Sequence, residues 1–305
     1  MNDQPIVFGI PRYEAYQRDL CAQLHGQLGA VERKQFPDGE RYQRLETDVE
    51  GRDVVVVGGT IDDEATLCLY DLASTTVTYG ARRLSLVVPY YGYSTMERAT
   101  QPGEAIVAKT RARLFSAIPR AASGNRVFLL DLHSEGIPHY FEGGCTAFHI
   151  YAKPLIAPVI RALGGDDYVL GSTDSGRAKW VESLANDLGV EAAFILKRRL
   201  SGSETRVTAL NASVSNRLVI IYDDMIRSGG SLIGAAQAYR DAGAAGLIAV
   251  CTHGVFVDGA YERLSNSGLF DEIVATDSHP TAPRLVDVGL RIVPTAASFV
   301  EHLRR

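Results

Sequence analysis

The chain alternates short apolar runs of strand length with stretches that repeat on a helical period, and this alternation limits the folds open to it. VVVV (54–57), LSLVV (84–88), VFLL (127–130), YVLG (168–171), LVII (218–221) and LIAVC (247–251) are strand-length runs with helical patterns between several of them. Strands that are apolar nearly throughout belong to sheets buried on both faces, which are mainly parallel sheets flanked by helices. With 305 residues, 46% of them hydrophobic, the chain is long enough for two such α/β domains.

The halves resemble one another. Asp53-Val54-Val55-Val56-Val57-Gly58-Gly59 lies over Leu218-Val219-Ile220-Ile221-Tyr222-Asp223-Asp224, and the glycine turn Tyr79-Gly80-Ala81-Arg82 matches Ala242-Gly243-Ala244-Ala245 with a two-residue slip. A duplicated domain is predicted. The copies differ where the strand ends, in Gly-Gly in the first and Asp-Asp in the second, so only the second is equipped to hold a sugar.

That strand end opens the most informative motif, VIIYDDMIRSGGSL (219–232). In open parallel sheets ligands bind at the carboxyl ends of strands, and here a buried strand runs into two acids and a loop that starts a helix. Asp223 and Asp224 can accept hydrogen bonds from vicinal ribose hydroxyls. Ser228, Gly229, Gly230 and Ser231 can wrap backbone N–H groups and hydroxyls around a phosphate. The spacing sets a sugar beside a phosphate.

Charge and cysteine usage exclude other classes. A net charge of −5 argues against a general nucleic-acid binder. The four cysteines, Cys21, Cys68, Cys145 and Cys251, lie far apart without CxxC pairing and read as structural thiols in a reducing compartment. The opening MNDQPIVFGIPRYEAY has no basic segment followed by an apolar run, and no stretch reaches the ~18 apolar residues of a membrane span. A cytoplasmic protein is expected, with no membrane partner.

The 219–232 string resembles the loop that binds phosphoribosyl diphosphate (PRPP) in type I phosphoribosyltransferases and PRPP synthetases. Further segments resemble the synthetases specifically: FPDGE (36–40), PYYGY (89–93), DLHSEGI (131–137), STDSG (172–176), KRR (197–199) and CTHGVF (251–256), in the family's order and over nearly the whole chain. The resemblance implies two tandem type I phosphoribosyltransferase-like domains, residues 1–149 and 150–305, with a helix over 150–163 opening the second. The last ~15–20 residues are expected to return to the first domain.

It also implies an activity: Mg²⁺-dependent transfer of the β,γ-diphosphate of ATP to the C1 hydroxyl of ribose 5-phosphate. His133 resembles the histidine that contacts the metal and the ATP phosphates, beside Asp131, and Asp174 resembles a second metal-associated acid. Lys197 and Arg199 resemble the basic pair of a mobile catalytic loop that continues through LSGSETR (200–206). Such a pair neutralises charge spread over transferring phosphate oxygens. Phe36 can stack on adenine while Asp38 and Glu40 accept hydrogen bonds from the base or its ribose. In the family this loop reaches a neighbouring subunit, which implies a dimer-based homo-oligomer, often a hexamer.

Two positions depart from the family pattern. Thr95 stands where an arginine grips ATP, a loss worth about 1.5–3 kcal/mol of binding, with Arg98 placed to compensate. Arg227 stands where the phosphate loop usually has an acid, and favours a more anionic acceptor such as ADP-ribose, unless it points into solvent. The carboxyl-terminal IVPTAASFVEHLRR lacks the serine-rich ending tied to phosphate regulation. A non-catalytic paralogue would be expected to have lost His133, Asp174, Lys197 or the acid pair, and all are present. A phosphoribosyltransferase consuming PRPP would need only one such domain.

Overall fold

The computed structural model describes residues 4–201, 204–210 and 212–304, and for residues 175, 196–201 and 204–210 it describes the backbone alone. The chain forms two compact units, Met1–Tyr151 with Thr295–Arg305, and Ala152–Pro294.

The first unit is built on a six-stranded, wholly parallel sheet in the order Gln27–Leu28, Ile6–Gly9, Asp53–Val57, Arg83–Val88, Asn125–Leu130, Cys145–Ile150. The second repeats it with Glu191–Ala193, Tyr168–Ser172, Leu218–Ile226, Gly246–Gly254, Glu272–Thr276 and Arg291–Val293. Counted along the chain within each unit, both orders are 2-1-3-4-5-6. Each unit also carries an antiparallel hairpin between its second and third strands, Val31–Gln35 with Arg41–Leu45 and Ile195–Ser201 with Glu204–Leu210. The strand order reverses beside each first strand, where doubly wound sheets open a crevice for ligands.

The apolar runs form the cores. Val54, Val56 and Val57 and, in the second unit, Val219, Ile220 and Ile221 are at most 1% exposed, and each such side chain contributes roughly 1.5–3 kcal/mol on burial. Helices cover the sheets. Helix Asp63–Thr78 starts where the Asp62 carboxylate accepts a hydrogen bond from Ala65 N at 2.7 Å, an N-cap that gives TIDDEAT (60–66) a structural role. The closing helix Ala297–Arg304 belongs to the first unit: Phe299 is buried against Tyr16, whose hydroxyl shares a 2.9 Å hydrogen bond with Thr295.

Two local expectations change. The helix read over 150–163 spans Lys153–Gly164, because Cys145–Ile150 continues the first sheet and Pro154 sits in the first helical turn, where its missing N–H costs nothing. LSGSETR, read as an irregular loop, falls largely on the two strands of the second hairpin, with residues 202 and 203 outside the described residues.

Candidate active site

The second unit gathers polar groups at the carboxyl end of its central strand, Leu218–Ile226. Asp223 and Asp224 occupy consecutive positions there, with their carboxyls close enough to interact. Thr173, just past the neighbouring strand Tyr168–Ser172, donates its hydroxyl to Asp223 Oδ2 at 2.9 Å, and Asp224 N donates to Asp223 Oδ1 at 2.9 Å. Burial, and then the charge of Asp224, raise the Asp223 carboxyl above the ordinary carboxylate range. Asp224 forms an ion pair with Arg177; the two side chains are 6% and 15% exposed respectively.

Beyond the acids the chain turns into helix Gly230–Asp241. Gly229 holds φ +79°, and a Cβ there would stand 3.1 Å from Leu264 Cδ1, so the turn calls for glycine on both counts. The turn is braced from behind: Ile226 O accepts from Val255 N and Phe256 N, both at 3.0 Å, and Arg227 O accepts from Val257 N at 3.1 Å. Ser228, Gly230 and Ser231 are exposed at the start of a twelve-residue helix, where N–H groups without intrahelical partners favour an anion. Arg227 is exposed at the rim, its Nε 3.1 Å from Met225 Sδ.

Asp174 follows the strand Tyr168–Ser172, and its Oδ1 accepts from Gly176 N at 2.8 Å. Lys197 and Arg199 lie on the hairpin strand Ile195–Ser201, opposite Val207 and Thr205; the roles expected of their side chains lie outside the described residues.

The first unit has no acids at the matching place. Its strand Asp53–Val57 ends in Gly58 and Gly59, and a Cβ on Gly59 would fall 2.0 Å from the hydroxyl of Tyr13, which is 2% exposed. Tyr13 thus packs against the strand end, where Gly59 makes room for it and Gly58 makes room for Ile10. The hairpin turn carries Phe36, 48% exposed, and is tied by hydrogen bonds from Phe36 N to Glu40 O (2.8 Å) and from Glu40 N to Asp38 Oδ1 (3.0 Å). His133 is exposed just past the strand Asn125–Leu130. Asp131 turns the chain there at φ +43°, and Leu132 N donates to His149 Nε2 at 2.9 Å. The Arg98 side chain is 79% exposed, 3.5 Å from Glu97.

Arg177, Trp180 and His149 were not singled out from the sequence, and Thr173 entered only as part of STDSG (172–176). Trp180 lies flat on Tyr222, with ring centroids 3.9 Å apart and planes 9° apart. A polar residue directly after a strand run, as in STDSGR, was the available signal for Thr173.

Among the described residues no three His, Cys, Asp or Glu side chains are grouped to hold a metal ion. Mg²⁺ takes oxygen ligands, and the Asp174 carboxylate is of the chemical type that could supply one. His133 offers nitrogen, a poor ligand for Mg²⁺ but a suitable donor to phosphate oxygens.

At one switch point of the duplicated parallel sheet an acid pair is followed by a glycine turn that opens a helix, a combination chemically suited to a sugar and an anion. Residues 6–118 match the model of the N-terminal domain of ribose phosphate pyrophosphokinase, and residues 178–305 that of the phosphoribosyl synthetase-associated domain. A ribose-phosphate pyrophosphokinase of Rhodopirellula baltica is 34% identical over 311 residues, covering 99% of this chain and 96% of its own. One from Fusobacterium nucleatum is 37% identical over 283 residues, 92% of this chain and 87% of its own. The crystal structure of phosphoribosylpyrophosphate synthetase from Mycobacterium smegmatis superposes with a TM-score of 0.86 at 26% identity, covering 99% of this chain and 98% of that one. The chain belongs to the ribose-phosphate pyrophosphokinase family.

Proposed function

We propose that this protein transfers the β,γ-diphosphate of ATP to the C1 hydroxyl of ribose 5-phosphate, releasing PRPP and AMP. The observation that carries this reading is the strand Leu218–Ile226, which delivers two carboxylates and then a glycine turn opening a helix. The carboxylates accept hydrogen bonds from the 2- and 3-hydroxyls, and the cradle of residues 228–231 takes the 5-phosphate. The C1 oxygen then attacks the β-phosphorus, the bond from that phosphorus to the α,β-bridging oxygen breaks, AMP departs with that oxygen, and the C1 proton passes to solvent or a nearby base.

The protein's part is mainly alignment and charge stabilisation. His133 and Arg98 are assigned to the nucleotide phosphates, Lys197 and Arg199 to the transferring group, and Phe36, Asp38 and Glu40 to the adenosine. Mg²⁺, when bound, neutralises the phosphate oxygens, and Asp174 is its assigned carboxylate. The hairpin position of Phe36 supports its service to another subunit's site in a homo-oligomer. The presence of His133, Asp174 and the acid pair weighs against a purely regulatory protein.

The test is product analysis with ATP, Mg²⁺ and ribose 5-phosphate: AMP supports the reading, and ADP or no turnover opposes it. Arg227, exposed at the cradle rim, favours a second arm with ADP-ribose as acceptor. Turnover confined to ADP-ribose, with the preference lost in Arg227→Asp, would assign the larger acceptor.

A further inference from the structure

The first unit opens a crevice at its own switch point. A cavity of about 390 Å³ lies between the loop after the strand Ile6–Gly9, the start of helix Asp63–Thr78 and the hairpin Val31–Gln35 with Arg41–Leu45. Its volume is that of a small-molecule site, and no residue lining it is assigned above to ATP or to ribose phosphate.

The helix start is closed to a phosphate. Asp62 fills it with its own carboxylate, which accepts from Ala65 N at 2.7 Å, and Asp63 and Glu64 add negative charge in the first turn. Cations stand across the cavity, and most are already matched: Arg12 pairs with Asp62 at 2.7 Å, Arg41 with Glu64 at 2.6 Å, and Lys34 with Glu32. Arg33 differs. Its Nη2 donates to Gly9 O at 2.7 Å and its guanidinium lies by the Cys68 thiol, but among the described residues no carboxylate pairs with it. A guanidinium has more donors than a carbonyl and a thiol use, set in a fork that matches a carboxylate.

Ile10, Pro11, Ala65 and the ring of Tyr42 supply apolar walls. The Tyr42 ring is fixed by Phe36, edge-on with centroids 6.4 Å apart, and by Lys34 Nζ 5.6 Å from its centre. We infer that this cavity binds a planar aromatic monocarboxylate, with its carboxylate on Arg33 and its ring against Tyr42 and the apolar walls. One negative charge answers the one unmatched guanidinium. A phosphate ester brings about two, and would meet the carboxylates of Asp62 and Glu64 as well. The ligand is clamped between helix and hairpin, so it also braces the hairpin whose turn carries Phe36.

The test is calorimetric titration of 2-naphthoate, a fused ring bearing one carboxylate, into the full-length protein, beside neutral 2-naphthamide and inorganic phosphate. Saturable 2-naphthoate binding is expected, with 2-naphthamide bound about tenfold or more weakly and phosphate unable to displace the acid. Arg33→Met should weaken 2-naphthoate by a similar factor and leave 2-naphthamide unchanged, a pattern that general damage to the fold would not produce. In the wild type, bound 2-naphthoate should also slow alkylation of Cys68 by iodoacetamide, read by mass spectrometry; Cys68 lines the cavity, and Cys21, Cys145 and Cys251 are buried. This second readout decides the matter if Arg33→Met does not fold. Absence of saturable 2-naphthoate binding, equal affinity for the amide, displacement by phosphate, or Cys68 alkylation indifferent to 2-naphthoate would each overturn the inference.

Discussion

Thr173 Oγ1 donates to Asp223 Oδ2 at 2.9 Å across 50 residues of sequence, joining the ends of the two strands that flank the switch point of the second unit. The bond holds one acid of the pair in a fixed rotamer. Thr173→Val, close in shape and lacking the hydroxyl, removes it from a buried position, with an expected loss of about 1–2 kcal/mol in stability and a raised KM for ribose 5-phosphate. Thermal melting with steady-state kinetics checks this; an unchanged KM would deny Thr173 its positioning part.

The raised Asp223 carboxyl gives opposite pH trends for stability and sugar affinity. Its folded value lies above the unfolded 3.8, so in the window between them the folded chain holds a proton that the unfolded chain has lost. The contribution of Asp223 to stability therefore falls as pH rises through that window. Ionised Asp223 is the better acceptor for ribose hydroxyls, so affinity for ribose 5-phosphate rises over the same range. Asp223→Asn should flatten both slopes, as read by melting temperature and by calorimetry against pH.

Trp180 is the single tryptophan of the chain, and it lies on Tyr222, next to the acid pair. Its emission should change when ribose 5-phosphate binds, with a saturating dependence that weakens in Asp224→Asn. Trp180→Leu loses the stack, worth about 0.5–1.5 kcal/mol beyond its burial. Emission unmoved by saturating ribose 5-phosphate would count against binding at this strand end.

The turn proposed to hold the ribose phosphate depends on Gly229. At φ +79°, with Leu264 3.1 Å from the place of a Cβ, Gly229→Ala should cost about 1–3 kcal/mol of stability. It should raise the KM for ribose 5-phosphate much more than that for ATP. Equal rises in both would point to general damage and not to a ribose-phosphate cradle.

Much of this was legible in the sequence because its physics is local. Long apolar runs such as VVVV and LVII must be buried on both faces, and an acid pair followed by Ser-Gly-Gly-Ser at a strand end is visible in the sequence as a stretch suited to a sugar and an anion. Strands Gln27–Leu28, Glu191–Ala193 and Arg291–Val293 were not, since two or three residues carry no period. Cys145–Ile150, the edge strand of its sheet, is buried only at its two ends and exposed or half-buried between, unlike the continuous runs within the sheet. Arg177 was missed for a different reason. Its partner, Asp224, lies 47 positions away, and only the adjacency of two parallel strands brings them together.

Thr95 bears on how the nucleotide is held. Thr95→Arg restores a charged donor to the segment that resembles an ATP grip, and should lower the KM for ATP by about tenfold or more. Initial-rate kinetics with varied ATP decide it; no change would mean that ATP is gripped elsewhere.

The most direct test of the central claim is chromatographic separation of nucleotides after incubation of the protein with ATP, Mg²⁺ and ribose 5-phosphate. The account predicts AMP and PRPP in equal amounts, with both abolished in the Asp223→Asn/Asp224→Asn double variant. Accumulation of ADP, or AMP formed equally without ribose 5-phosphate, would contradict it.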